Sequence, residues 1–257
     1  MKRMRFTKLQ GLGNDYLYVR ADALPENAAA LSVRLSDRHF GPGADGMIWI
    51  LPSAIADFRM RIFNADGSEA KMCGNGIRCL GKYVYDKGLT DKTELLIETG
   101  AGLRRLQLHP TGGSVTSVTV EMGKALVEAG ADGDLRVDVG NPHLVRFVAD
   151  AEAAPVLTEG PALSASLPGG VNMEFVQVLG PERLRMRVWE RGSGLTLACG
   201  TGACAAAAAA VKRGFCRAGT PITLLLDGGA LRITVSEEGD IRMEGPAVTV
   251  YEGEIEV

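Results

Sequence analysis

The sequence has no long hydrophobic run and no basic tract. Its longest apolar stretch, residues 203–211, is far shorter than the roughly 20 residues of a bilayer-spanning helix. The basic residues 1–5 lead into a glycine-containing turn at 11–15 rather than into an apolar signal segment. The formal net charge is −3, with scattered Lys and Arg. We therefore expect a cytoplasmic protein without nucleic-acid or membrane partners.

Cysteine is scarce and lacks the spacing of a structural framework. The chain has five cysteines, an odd number, and no Cys-x-x-Cys pair. This pattern argues against a set of disulfides and against a zinc cluster. We expect free thiols and no bound metal.

What the sequence does contain is an internal repeat. Cys73 and Cys199 lie 126 residues apart, and each is followed by Gly-x-Gly. Three further matches keep nearly the same spacing: 59–63 with 185–189, Gly88 with Gly214, and 13–14 with 140–141. One unit of about 120 residues has therefore been used twice, and this length is enough for a domain with its own core.

The repeat predicts two domains of mixed α/β class. The first comprises residues 1–117 together with 249–257 and carries Cys73, and the second comprises residues 118–248 and carries Cys199. Each domain is expected to be rich in strands that wrap one central helix, which begins at its cysteine. Residues 161–170, which contain two prolines and two glycines, are predicted to form a loop.

The position of the two cysteines favours one kind of chemistry. A helix N-terminus has unpaired N–H groups and partial positive charge, so it binds anions and should lower the pKa of a nearby thiol. Two such ends facing each other could hold one carboxylate, with a thiol on either side of the adjacent carbon. This arrangement suits inversion of that carbon, because one thiolate can remove the α-proton while the opposite thiol donates one.

Several polar residues fit supporting roles in such a site. His143 could pair with one thiol and Glu190 with the other, which would set the thiol that is charged. Arg191 could bind a second carboxylate through two parallel hydrogen bonds. Four asparagines on turns or strand starts offer neutral hydrogen bonds to a substrate: Asn14, Asn64, Asn141 and Asn172.

These motifs resemble those of the diaminopimelate epimerase family over nearly the whole chain. The matching segments are 11–15, 63–67, 73–76, 140–143, 190–192, 199–202 and 250–253. The resemblance implies a cofactor-free enzyme that converts LL-2,6-diaminopimelate to the meso form, in lysine and peptidoglycan precursor synthesis. It also implies two pseudo-symmetric domains, each a mostly antiparallel β-barrel-like sheet around a central helix, with the active site in the cleft.

The resemblance assigns roles to individual residues. Cys73 and Cys199 would be the acid/base pair. The reacting carboxylate would be held by Gly74, Asn75, Gly200 and Thr201. The distal end of the substrate would be recognised by Asn64, Asn141, Asn172, Glu190 and Arg191, and Asn14 would also contact substrate. Two positions depart from the family: Gly46 stands where many members carry Gln, and Leu195 where Glu is usual.

Other functions stay open at this stage. A related enzyme could racemise proline, hydroxyproline or histidine, although proline-type relatives usually carry His where this chain has Asn75. An anion-binding module would need no matched cysteines, and a thiol-redox protein would be expected to contain Cys-x-x-Cys. The expected partner is a small amino-acid substrate, and the choice between monomer and homodimer also stays open.

Overall fold

The computed structural model describes residues 3–257 and divides into two compact units. The first unit comprises the chain up to Val120 together with Gly245–Val257, and the second comprises Glu121–Glu244. The predicted boundaries at 117/118 and 248/249 fall close to these positions.

The first unit is built mainly from strands. Its strands are β1 (Arg3–Gly11), β2 (Asn14–Arg20), β3 (Gly46–Leu51), β4 (Phe58–Asn64), β5 (Glu69–Ala70), β6 (Glu94–Thr99), β7 (Gly102–Thr111), β8 (Ser114–Lys124) and β18 (Val248–Glu256). Its helices are α1 (Ala28–Ser36) and α2 (Gly74–Asp86). The strands pair in the order β18–β1–β2–β3–β4–β6–β7–β8. The β2–β3 and β4–β6 pairs are parallel, while the other pairs in this order are antiparallel.

The second unit repeats this arrangement. Its strands are β9 (Leu126–Ala129), β10 (Leu135–Asp138), β11 (Pro142–Phe147), β12 (Asn172–Gly180), β13 (Arg183–Glu190), β14 (Gly194–Leu195), β15 (Ile222–Leu226), β16 (Gly229–Val235) and β17 (Asp240–Pro246). Its helices are α3 (Val156–Ser164) and α4 (Gly200–Lys212). The order is β9–β10–β11–β12–β13–β15–β16–β17, and β11–β12 and β13–β15 are the parallel pairs.

The cysteine helices α2 and α4 lie at the centre of their units. Helix α2 packs on β1, β2, β7 and β18, and α4 packs on strands β9 to β13, β15 and β16. The alanines at 205–210 are all buried, and their small side chains let the surrounding strands approach the helix closely. Each helix is followed by a glycine with positive φ, Gly88 at 65° and Gly214 at 74°, which suits the left-handed residue after a helix C-terminus.

The prediction of a loop at residues 161–170 is partly wrong, because the first of these residues belong to helix α3. Pro161 lies inside this helix even though proline cannot donate the usual backbone hydrogen bond. Burial of Val156 in a cluster with Leu144, Val171, Met173 and Phe175 favours the helix despite the proline. Tertiary packing therefore overrides the local signal.

The fold class predicted from the sequence is confirmed: residues 3–257 form a mixed α/β structure with mostly strands and four helices. Within that range, none of the helices has the length and apolar character needed to pass through a bilayer.

The repeat provides a matched test of the two cores. Met60 on β4 and Met186 on β13 occupy equivalent positions and are both buried. Truncation to alanine at either position should lower the free energy of unfolding by about 2–5 kcal/mol, because each leaves a cavity. Chemical denaturation measures this loss. Val178→Ala, at a more exposed position of β12, is the control, and a methionine variant that loses no more stability than this control would contradict the expected core.

Candidate active site

Cys73 is the N-cap residue of helix α2. Its backbone is extended, with φ −139° and ψ 118°, and its Sγ accepts the N–H of Gly76 at 3.3 Å. The hydroxyl of Tyr18 donates to the carbonyl oxygen of Gly76 at 2.9 Å, which ties this first turn to strand β2. The sulfur thus takes the place that a Ser or Asp oxygen occupies in an ordinary N-cap.

Cys199 caps helix α4 in the same way. Its φ and ψ are −112° and 111°, and its Sγ accepts the N–H of Gly202, also at 3.3 Å. Gly202 packs closely against its surroundings, because a Cβ there would lie 2.7 Å from Oε1 of Glu174 and would force that side chain to shift. A Cβ on Gly76 would likewise lie 2.6 Å from Cδ1 of Ile48. The two halves therefore share one scaffold for presenting a thiol.

Polar groups of the first unit surround the Cys73 sulfur. Asn14 accepts the thiol hydrogen at its Oδ1, with 3.4 Å between Sγ and oxygen, and its Nδ2 donates to Asp45 at 2.7 Å. The Tyr16 hydroxyl also hydrogen-bonds to Cys73. Arg78, five residues along the helix, is completely buried and donates to Oδ1 of Asn75 at 2.9 Å. The fixed charge on the helix beside this thiol is therefore positive.

The surroundings of Cys199 have the opposite charge. Glu190 hydrogen-bonds to the thiol, and Glu174 is a second carboxylate close enough to act on it electrostatically. Nδ1 of His143 lies 2.7 Å from Oε1 of Glu174, and both side chains are completely buried. Thr201 Oγ1 lies 3.5 Å from the sulfur and accepts Nδ2 of Asn141 at 3.4 Å.

The expectation that the helix N-termini lower the pKa of both thiols is wrong, because the pKa of each thiol is raised. Burial raises the pKa of Cys73, although the Gly76 N–H, the Tyr16 hydroxyl and Arg78 act in the other direction. The pKa of Cys199 is raised further, because burial is joined by the charges of Glu190 and Glu174. Desolvation thus outweighs the helix field at both sulfurs.

His143 differs from its expected place, since its hydrogen-bonding partner is Glu174 rather than a thiol. Glu190 lies where expected, beside Cys199. Burial raises the pKa of Glu190, and the charge of Glu174 adds to this, while hydrogen bonds from Thr196 and Cys199 and the charge of His143 oppose it. The result is a largely buried cluster of two carboxylic acids, one thiol and one imidazole.

The remaining predicted residues fall into two groups. Five lie at the helix N-termini or contact their caps: Gly74 and Asn75 on α2, Gly200 and Thr201 on α4, and Asn141 beside Thr201. The hydrogen bonds of the other three go to groups outside the caps. Oδ1 of Asn172 accepts the backbone N–H of Arg191 at 2.9 Å, Nη1 of Arg191 donates to the Gly169 carbonyl at 2.7 Å, and Asn64 donates to Ser68 at 3.0 Å.

Three residues of these half-sites are absent from the sequence prediction: Tyr16, Arg78 and Glu174. A signal for Glu174 was available, because a glutamate interrupts the otherwise largely apolar segment 171–178. The equivalent residue in the first copy of the repeat is Ile48, so a comparison of the two copies does not indicate a carboxylate at this position. In the part of the chain that the structure describes, no group of three or more His, Cys, Asp or Glu side chains is placed to hold a metal ion.

Comparison with known proteins identifies the family. A model of the family described as diaminopimelate epimerase matches residues 6–127 and 135–250. The chain belongs to the diaminopimelate epimerase family. It is therefore an epimerase, an enzyme of the isomerase class.

Relatives in the family match over their full length. A diaminopimelate epimerase of Bacteroides thetaiotaomicron is 50% identical, with 99% of this chain and 98% of the relative covered. One of Parabacteroides distasonis is 49% identical, with 100% and 99% covered. Among solved structures, a phenazine biosynthesis protein of the PhzF family from Bacillus anthracis superposes with a TM-score of 0.82. At 18% identity over 100% of both chains, that likeness shows a common fold.

The charges beside Cys199 give a prediction for this epimerase. Glu190→Gln removes a negative charge from the sulfur and should lower its pKa, because like charges in a buried site repel. The rate of Cys199 alkylation by iodoacetamide at pH 8 should rise about tenfold. Peptide mass spectrometry measures Cys199 and Cys73 in one sample, and Cys73 serves as the internal control. An unchanged Cys199 rate would contradict the electrostatic account.

Proposed function

We propose that this epimerase converts LL-2,6-diaminopimelate to meso-diaminopimelate without a cofactor, in the synthesis of lysine and peptidoglycan precursors. The observation that carries the proposal is the duplicated cap: in each unit a cysteine sulfur accepts an N–H at the start of a buried helix. The family membership supplies the substrate, because relatives of about half identical sequence carry the name diaminopimelate epimerase.

The reaction is a balanced exchange of two protons. One thiolate removes the α-proton, and the C–H electron pair is delocalised onto the adjacent carboxylate. The other thiol then donates a proton to the opposite face of the same carbon, so the product has the inverted configuration. The enzyme ends with its charged and neutral sulfurs exchanged. We propose that Cys73 and Cys199 perform these steps on one α-carbon.

The backbone would stabilise the carbanion. N–H groups at a helix N-terminus point outward and carry partial positive charge, so they favour the extra charge on the carboxylate oxygens. Gly74 and Asn75 of α2 and Gly200 and Thr201 of α4 occupy these positions. Glycine allows a close approach of the carboxylate to the backbone. Deprotonation next to a carboxylate is difficult, and fixed donors in a buried site reduce its cost.

The two half-sites differ in charge, and this suggests which sulfur is charged at rest. Cys73 lies near Arg78, whereas Cys199 lies near Glu190 and Glu174. We propose that Cys73 is deprotonated first and that Cys199 is the resting proton donor. The substrate's α-ammonium group would help, because a positive charge stabilises a nearby thiolate.

We propose that Asn64, Asn141, Asn172, Glu190 and Arg191 recognise the distal end of the substrate and that Asn14 also contacts it. The Arg191 guanidinium is held by the Gly169 carbonyl and is otherwise suited to bind a carboxylate through parallel hydrogen bonds. A substrate with an amino-acid group at each end fits this set better than proline does.

The direct test is incubation with LL-diaminopimelate in D2O without added cofactor. One α-carbon should acquire deuterium as the meso isomer forms. NMR measures the deuterium, and chiral chromatography measures the isomer. L-Proline and trans-4-hydroxyproline are the comparison substrates. Exchange with either of them and none with LL-diaminopimelate would overturn the proposed substrate.

The acid/base pair is tested by removing each sulfur. Cys73→Ala and Cys199→Ala should each lower kcat by about 10²–10⁴-fold, because each removes one partner of the proton exchange. Cys216→Ala, outside both helices, should retain the parental rate. Circular dichroism checks that all three variants are folded. If either Cys73→Ala or Cys199→Ala turned over like the parent, the two-base scheme would fail.

A further inference from the structure

Tyr16 and His143 occupy equivalent positions in the two units. The parallel register pairs Leu17 of β2 with Met47 of β3, and Leu144 of β11 with Met173 of β12. Tyr16 and His143 each precede the first member of these pairs by one residue. The partner strands begin at Gly46 and Asn172, which are therefore also equivalent. The same position of the repeat thus carries a phenol in the first unit and an imidazole in the second.

The Tyr16 hydroxyl lies at the Cys73 sulfur. Tyr16 is only 6% exposed, and its hydroxyl hydrogen-bonds to Cys73 and to the side chain of Asn14. Asn14 itself lies 3.4 Å from the sulfur through its Oδ1. A phenol and an amide of strand β2 thus contact one thiol. The amide faces the sulfur with its oxygen, and its Nδ2 donates to Asp45. Of these two side chains, the phenol is therefore the one that can donate to a charged sulfur.

Gly46 makes room for the ring of Tyr16. A Cβ at position 46 would lie 3.0 Å from Cε1 of Tyr16 and 2.2 Å from the carbonyl oxygen of Phe63. A side chain there would therefore displace the tyrosine or separate strands β3 and β4. The backbone of β4 is therefore the main reason that position 46 holds glycine in place of Gln, and the Tyr16 ring adds to it.

We propose that Tyr16 is a further residue of the reaction: its hydroxyl donates a hydrogen bond to the Cys73 thiolate and stabilises the charged sulfur, in a pocket that Gly46 keeps open. This inference deepens the proposed function and rests on Cys73 acting as a base. Hydrogen bonds to charged acceptors are stronger than those between neutral groups. Donation by Tyr16 would replace part of the solvation that the sulfur loses on burial.

The other ionisable groups around Cys73 do not supply this donor. Arg78 and Cys79 belong to its own helix, Tyr18 lies on β2 with its hydroxyl on the Gly76 carbonyl, and Asp45 precedes β3. The Asp45 carboxylate is paired with Arg38 at 2.9 Å. Burial, together with the negative charge of Cys73, raises the pKa of Tyr16 well above its ordinary value, so the phenol keeps the proton that it donates.

Tyr16→Phe tests the proposal because it removes the hydroxyl and keeps the ring. Alkylation of Cys73 by iodoacetamide at pH 8, measured without substrate by peptide mass spectrometry, should slow about tenfold. The kcat for LL-diaminopimelate should fall by a similar factor. Tyr251→Phe, whose hydroxyl bonds to the Pro42 carbonyl, should change neither rate and is the matched control.

Two outcomes would overturn the inference. One is a Tyr16→Phe protein that alkylates Cys73 at the parental rate. The other is a faster rate that accompanies a lowered Tm, since a loosened fold exposes the thiol and Tyr16 would then serve only packing. The alkylation assay needs no substrate, so it gives a result even if LL-diaminopimelate is not turned over. A slower Cys73 with an unchanged Tm, in a protein inactive on that compound, would leave the tyrosine's role standing and reject the proposed substrate.

Discussion

The structure depends on one interaction, the hydrogen bond from a glycine N–H to the sulfur of a cysteine that caps a buried helix. The bond is 3.3 Å long in each unit, at Cys73 and at Cys199. It fixes the sulfur at the helix N-terminus, where the backbone also presents donors to a carboxylate. Glycine suits positions 76 and 202, because a Cβ at either would push against Ile48 or Glu174. Everything proposed about catalysis builds on this geometry.

Duplication supplied the geometry twice, and substitution then made the two copies chemically different. Glu174 and Glu190 in the second unit correspond to Ile48 and Asn64 in the first, and Arg78 in the first corresponds to Cys204 in the second. One sulfur therefore lies near a buried cation and the other near two carboxylates. Such a difference suits the proposed mechanism, in which one sulfur is charged while the other is neutral. A symmetric pair of sites would give no preference for which is charged.

Much of this fold follows from the sequence, because the repeat, the glycines after the helices and the alternation of the strands are local signals. The thiol caps were also predictable, since Gly-x-Gly follows both cysteines. The pairing of His143 with Glu174 was not, because two separate strands bring these residues together. Helix α3 does not follow from the local sequence, since Pro161 is a signal against helix. The raised pKa values of both thiols depend on burial, which motifs do not report.

The central claim is that the two capped thiols act on one carbon, and their mutual approach tests it most directly. A disulfide forms only when the α-carbons come within about 7 Å. Mild oxidation with diamide, followed by peptide mapping, should yield a bond between Cys73 and Cys199, and LL-diaminopimelate should slow its formation. Recovery of both as free thiols, or joined to other cysteines instead, would contradict the account.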